Sequence, residues 1–240
     1  MKDLKLLTSD AVYFFRSLGL LFILLSNILL VPAQAQTAAI NVDDAFTERS
    51  IGLNLALFED KSAQLTLQDI QSPQYTRQFI PSTKQTPSFG YTPSAYWARF
   101  ALNDTRNPKR SLADAPLMLT LSYAQTDLAE LWCADHQGAI VQQQRAGDHV
   151  PLAEWPTTYR TPAFEVPSAA QTCWLRVQSS ASLQFPLALS THAAFADQRV
   201  KDSTIQALYF GALLVMFIYN GLLAATTRSR ANAPNLSAPW

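Results

Sequence analysis

The sequence predicts an all-β domain, an antiparallel jelly roll or β-sandwich, that is exported and followed by one membrane-spanning helix. Three observations predict it: two apolar runs frame the chain, the region between them alternates with the period of strands, and turn residues separate the alternating segments. The chain has 240 residues, of which 48% are hydrophobic and 15% charged. Without the two runs about 165 residues remain, which suits one hydrophobic core rather than two.

The charge distribution argues against nucleic acid as a partner. Residues 36–202 carry 13 lysines and arginines against 16 aspartates and glutamates, with no long block of either sign. A nucleic-acid-binding domain needs a basic patch or stripe, and none is present in this segment. We therefore expect no nucleic acid among its partners.

The first apolar run predicts export. Leu18–Val31 follows three basic residues and precedes the small-residue motif Ala33-Gln34-Ala35. A run of this length is too short to span a bilayer, and the pattern is that of a secretory signal peptide covering residues 1–35. The alternative is an uncleaved N-terminal anchor, which would export the following domain as well.

The second apolar run predicts a single membrane span. Ile205–Ala225 contains no charged residue and has the length that a membrane helix needs, although a buried core helix is the alternative. Arg228 and Arg230 follow it without any acidic residue, so the positive-inside rule places residues 226–240 in the cytoplasm. Residues 36–202 are then expected in the periplasm, outside a bacterial inner membrane. Within the span we expect Asn220 to bond a neighbouring helix.

The segment between the runs has the alternation of strands. In Tyr96–Leu102, Trp97 and Arg99 share one face, and the aliphatic and other aromatic residues share the opposite face. Pro186 indicates an edge position or a bulge, and the stretch Leu53–Ile70, which includes Leu65–Ile70, is interpreted as an opening strand or a turn. Further strands are predicted at Leu117–Ser122, Asp127–Cys133, Ala139–Gln143, Ala163–Val166, Cys173–Gln178 and Leu183–Leu189.

The chain has two cysteines, which raises the question of a disulfide. Cys133 ends one predicted strand and Cys173 begins another. If the two strand ends are neighbours, an oxidising periplasm would allow a bridge between them. Two buried free thiols are the alternative.

A series of motifs in order resembles a known family. The motifs are Gly90–Phe100 (GYTPSAYWARF), Asp127–Trp132 (DLAELW), Gly147-Asp148, Tyr159–Phe164 (YRTPAF), Trp174–Ser180 (WLRVQSS), Phe185–Leu187 (FPL), Tyr209–Gly211 (YFG) and Tyr219-Asn220. Together they resemble the type 2 extracellular domain of bacterial seven-transmembrane receptors with diverse intracellular signalling modules (7TMR-DISM), and its first membrane helix, over about residues 50–223.

That resemblance implies a jelly-roll domain similar to carbohydrate-binding modules, which senses a ligand for signal transduction. It also implies six more membrane helices and a kinase, cyclase or phosphatase output. Here the residues after Thr226 form a short polar tail that cannot span a membrane. We therefore expect either a truncated receptor gene, a non-signalling fragment, or a single-pass sensor that acts through a partner membrane signalling protein.

An enzyme is disfavoured by the motifs. The sequence has no nucleophile elbow, no metalloprotease motif and no phosphate-binding loop. Its three histidines are scattered, so neither a metal nor another cofactor is expected. A glycoside-acting enzyme could use carboxylates such as Glu130, Glu154 or Glu165, but no motif supports it. A structural or docking module of the envelope is the other alternative.

Two Trp-x-Arg strands are the candidate ligand-binding residues. Trp97 with Arg99, and Trp174 with Arg176, could form one concave surface, because indole faces suit sugar rings and guanidinium groups suit hydroxyls or carboxylates. A rim is expected from the connection that contains Trp155, Tyr159 and Arg160. The alternative for both Trp97 and Trp174 is burial in the core.

Overall fold

Thirteen strands, three α-helices and two 3₁₀ helices, Gly52–Asn54 and Leu152–Glu154, lie in the part of the chain that the computed structural model describes, residues 37–107 and 116–231. Side chains are described as far as Thr227. The predicted signal peptide, residues 1–35, and the end of the predicted cytoplasmic tail lie outside the described residues.

The larger sheet forms one layer of a sandwich. Its strands are β1 (Ile40–Val42), β3 (Ala56–Asp60), β4 (Ile80–Pro81), β6 (Ala95–Asp104), β8 (Leu128–Ala134), β9 (Ile140–Ala146) and β11 (Thr172–Gln178). Six of them run antiparallel in the order β4-β3-β6-β11-β8-β9, and β1 pairs in parallel with the C-terminal end of β6.

The smaller sheet forms the second layer. It contains β2 (Glu48–Ser50), β7 (Leu117–Leu121), β10 (Ala163–Val166) and β13 (Leu187–Thr191), in the antiparallel order β10-β7-β13-β2. A separate antiparallel pair joins β5 (Ser88–Tyr91) to β12 (Ser182–Gln184).

Alternation along the strands builds the core between the two sheets. Phe100 of β6 and Leu175 of β11 meet Leu119 of β7 and Phe164 of β10 in one buried cluster. Side chains at every second position point away from this layer, as the pleat requires. The predicted antiparallel sandwich is therefore confirmed as the architecture.

Two local predictions need correction. The predicted opening strand or turn, Leu53–Ile70, does contain strand β3, but its last part is helical: Thr66 caps a short helix, α1 (Leu67–Gln71), through a reciprocal capping box with Asp69. A second short helix, α2 (Pro73–Thr76), follows it. The predicted strand Leu183–Leu189 is divided at Pro186 into β12 and β13, because proline cannot donate the ladder hydrogen bond.

Helix α3 (His192–Ala231) follows β13 directly. Among the described residues it is the one helix that is long and apolar enough to cross a membrane. The side chains of residues 203–227 are all exposed, as expected for a surface that faces lipid rather than a protein core. The fold thus has one C-terminal apolar helix attached to a β-sandwich.

A disulfide joins two adjacent strands of the larger sheet. Cys133 on β8 lies directly opposite Cys173 on β11, with the two Cα atoms 4.1 Å apart. Both cysteines are buried on the inner face of the sheet. The bond therefore ties β8 to β11 covalently on the side of the sheet that faces the core.

Candidate functional site

The outer face of the larger sheet carries a continuous row of aromatic and charged side chains. Cross-strand pairing places Phe58 opposite Trp97, Trp97 opposite Arg176, Arg176 opposite Glu130, and Glu130 opposite Arg145. These five residues belong to five successive strands of the sheet. Strand pairing therefore brings together residues that are far apart in the sequence.

A neighbouring row on the same face adds two more indoles. Arg99 lies opposite Trp174, and Trp174 lies opposite Trp132. Trp132 stacks on Trp97, with ring centroids 5.4 Å apart and planes 21° from parallel. The two predicted Trp-x-Arg strands are therefore neighbours with their side chains on one face.

The segment after β3 covers part of this face. Asp60 is buried and its carboxylate accepts three backbone hydrogen bonds, from Ser62, Ala63 and Leu65. These bonds hold Ala63 in the left-handed region, with φ of 53°, which a residue with a Cβ rarely adopts. The turn leads into α1, whose Ile70 packs on Trp97 and Phe58 in a second hydrophobic cluster.

A groove remains between this cover and the sheet, and we call it the α1 groove. It has a volume of about 680 Å³. One wall is the 63–71 segment, and the other is the sheet with Trp97, Glu130, Trp132 and Arg176, bordered by Gln143 of β9.

Arg176 is the central charged group of the α1 groove. Its guanidinium donates to Glu130 Oε2 at 3.1 Å and to the carbonyl oxygen of Ala63 at 2.9 Å, with a longer bond to Gln178 at 3.4 Å. Only 9% of the Arg176 side chain is exposed. One residue therefore ties the floor of the groove to its cover.

Two buried donors in the groove wall have no hydrogen-bond partner among the described residues. They are Nε1 of Trp97 and Nε of Arg176, and the two residues are directly opposite each other on β6 and β11. A buried donor without an acceptor costs roughly 1–3 kcal/mol, so the pair favours a ligand that brings acceptor oxygens. Among the described residues no cluster of side chains could hold a metal ion.

Arg99 and Trp174 lie on the predicted face but do not line the groove. The Arg99 guanidinium lies over the ring of Phe79, 4.9 Å from its centroid, and burial lowers the pKa of Arg99. Trp174 is half-buried and packs on the cluster around Trp97. Trp97 itself is fully buried beneath the cover, so its ring faces are not open to solvent as a simple concave surface would need.

The predicted rim does not belong to this site. Trp155 packs on the main core and donates its indole N–H to the carbonyl oxygen of Val150 at 3.0 Å. Tyr159 packs instead with Met118 and Phe195, on the outer side of the smaller sheet. Arg160 also lies there, beside Asp202 of α3. The sandwich separates Tyr159 and Arg160 from the groove, because the two outer faces point in opposite directions.

Sequence reasoning missed two of the groove residues. The sequence analysis names Glu130 only as a carboxylate that a glycoside-acting enzyme could use, and Trp132 only as part of the Asp127–Trp132 motif. Glu130-Leu131-Trp132 repeats the spacing of the two Trp-x-Arg strands, with a buried leucine between two outward residues. That alternation was the available signal. The sequence does not indicate that residues 63–71 cover this face, because no local pattern shows which strands a distant segment packs on.

Comparison with known proteins identifies one family. The family described as 7TMR-DISM extracellular 2 matches residues 52–191, which is more than half of the chain and includes every strand from β3 to β13. No curated protein matches the sequence.

Proposed function

Because the chain belongs to the 7TMR-DISM extracellular type 2 family, we propose that it senses a carbohydrate-like ligand in the α1 groove. The family is one of receptor sensing domains rather than enzymes, and it indicates a periplasmic sensor of a membrane receptor. The exposed apolar helix α3 agrees with attachment to a membrane. The family does not indicate which ligand is bound, so the ligand class is inferred from the residues that line the groove.

The observation that carries the proposal is a pair of hydrogen-bond donors without an acceptor, which lie beside two stacked indole rings. Trp97 Nε1 and Arg176 Nε are buried and have no acceptor among the described residues, so a sugar hydroxyl or ring oxygen can accept from them once the 63–71 segment moves aside. A second hydroxyl can donate to the carboxylate of Glu130, and the half-buried indole of Trp132 offers an apolar surface to sugar C–H groups. The groove thus combines the polar and apolar contacts that a sugar ring needs.

The proposed arrangement in the envelope follows the sequence prediction. Residues 1–35 direct export, residues 36–202 lie in the periplasm, residues 205–225 cross the inner membrane, and residues 226–240 are cytoplasmic. The helix would pass the signal to a partner membrane signalling protein or to further membrane helices. A reporter enzyme that is active only in the periplasm should be inactive when it is fused after Trp240. Activity of that fusion would contradict this arrangement.

Ligand binding is tested with the full chain in lipid nanodiscs on an array of neutral and uronic-acid oligosaccharides. We expect Arg176→Gln to abolish binding, because it removes both the unshared donor and the bond to Glu130. Arg99→Gln is the matched control: it changes the same residue type on the same sheet face, outside the groove. Thermal melting of each variant checks that the domain is folded.

A second variant tests the groove without touching a buried charge. Gln143 is exposed on β9 and borders the groove, so Gln143→Trp should narrow it and weaken binding. Val141→Trp, at an exposed position of the same strand outside the groove lining, should leave binding unchanged. Equal affinities of the Gln143 and Val141 variants would remove the groove as the binding site.

Failure of every glycan to bind would favour the docking alternative. Turnover of chromogenic glycosides by the full chain would favour the glycosidase alternative instead.

A further inference from the structure

The membrane helix starts without a linker. β13 ends at Thr191, and α3 begins at the next residue. The Thr191 hydroxyl accepts a hydrogen bond from the backbone N–H of Ala194 at 3.2 Å, and Thr191 itself pairs with Leu117 of β7. A movement of β13 therefore reaches the first turn of the helix directly.

The first turns of α3 are docked on the outer side of the smaller sheet. Phe195 is only 5% exposed and packs with Met118 and Ala163. Its ring meets that of Tyr159 edge to face, with centroids 5.2 Å apart. This contact is the apolar anchor of the helix on the domain.

Asp202 forms a second, polar anchor. One carboxylate oxygen, Oδ2, accepts the Tyr159 hydroxyl and lies 3.3 Å from the Arg160 guanidinium. The other oxygen, Oδ1, accepts from Gln198 Nε2 at 3.0 Å. Only 14% of the Asp202 side chain is exposed. From residue 203 to residue 227 every side chain is exposed, so Asp202 is the last anchored residue in this described part of the helix.

The two anchors lie on one side of the helix. Phe195 and Asp202 are seven residues apart, which is about two turns of an α-helix. Attachment at a single point would let the helix pivot about that point. Attachment at two points on one side prevents the pivot and sets the rotation of the helix about its own axis.

The connection that holds Asp202 is also tied to the sheet that carries the groove. This connection, residues 147–162, includes Tyr159 and Arg160 and lies between β9 and β10. Glu154 within it forms an ion pair with Arg145 of β9. Arg145 is the cross-strand neighbour of Glu130 in the α1 groove. The same connection therefore contacts the helix at one end and the larger sheet at the other.

We propose that the 147–162 connection holds Asp202 through Tyr159 and Arg160, so that the sandwich and the membrane helix move as one rigid body. We call this attachment the latch. The latch fixes the orientation in which α3 enters the membrane, so a displacement of the sandwich is delivered to the helix instead of being lost by bending at the junction. A carboxylate that accepts the Tyr159 hydroxyl and forms an ion pair with Arg160 suits this role, because interactions with a charged group are stronger than those between neutral groups. The latch does not depend on which ligand the groove binds.

The test uses the full chain in nanodiscs without any ligand. Asp202→Ala removes the carboxylate, and Tyr159→Phe removes only the hydroxyl that bonds to it. Asp197→Asn is the matched control, because Asp197 is an exposed aspartate of the same helix. Amide hydrogen exchange of residues 196–204 should become roughly tenfold faster in Asp202→Ala and unchanged in the control.

A distance measurement reports the orientation itself. Spin labels on cysteines introduced at Val141 and Val200, both exposed, report the position of the helix relative to the larger sheet. The native cysteines are joined to each other and do not take up the label. We expect a narrow distance distribution in wild type and Asp197→Asn, and a broad one in Asp202→Ala and Tyr159→Phe.

Wild-type exchange and an unbroadened distribution in Asp202→Ala would overturn the proposal. If that variant melts at a lower temperature, Tyr159→Phe decides: a folded Tyr159→Phe with exchange and distances like those of Asp197→Asn would also overturn it.

Discussion

Reduction of the Cys133–Cys173 bond removes the covalent tie between β8 and β11 without changing the sequence. The bond closes a loop with a sequence separation of 40 residues. The chain-entropy relation for a loop of this length gives a loss of about 4 kcal/mol in the free energy of unfolding. The loss arises mainly in the unfolded chain, which becomes free to explore more conformations.

Urea unfolding of the oxidised and reduced protein measures this loss. With a slope of about 2 kcal/mol per molar urea, the midpoint should fall by about 2 M on reduction. A Cys133→Ala, Cys173→Ala double variant should unfold near the reduced wild type and should not respond to reductant. Coincident midpoints for oxidised and reduced wild type would refute the reasoning. Alkylation of two thiols in the unreduced, denatured protein would show that the bond does not form.

Three further outcomes follow from the backbone and from one ionisable group. Ala63→Gly should raise the free energy of unfolding by about 1 kcal/mol in urea titrations, because glycine adopts the left-handed conformation of Ala63 without strain. Gly147→Ala should lower the melting temperature, since φ is 128° there and a Cβ would lie 2.5 Å from the carbonyl oxygen of Asp127. The pKa of Tyr159 is raised, first by burial and then by its bond to Asp202. The raised pKa contributes stability below about pH 10, and this contribution is lost as the pH rises through the folded-state pKa. The melting temperature of Tyr159→Phe should therefore fall less steeply with rising pH than that of the wild type.

Features that repeat along the chain could be predicted from the sequence. The alternation in Tyr96–Leu102 assigned Trp97 and Arg99 to one face, because side-chain direction in a strand depends only on the position within the pleat. The apolar run at Ile205–Ala225 indicated a membrane helix in the same way, since its length and lack of charge are local properties. The family resemblance added the sensing role, which composition and periodicity do not carry.

By itself, then, the sequence determined the strand faces, the apolar helix and the family, because each depends on residues that are neighbours in the chain. Only the tertiary structure decided that α1 buries Trp97, that Trp132 joins the groove, and that Tyr159 bonds to Asp202 rather than forming a rim of the groove. Such contacts depend on strand register and on which loop covers which face. Those choices are made by the burial of apolar surface over the whole domain, and no local pattern records them.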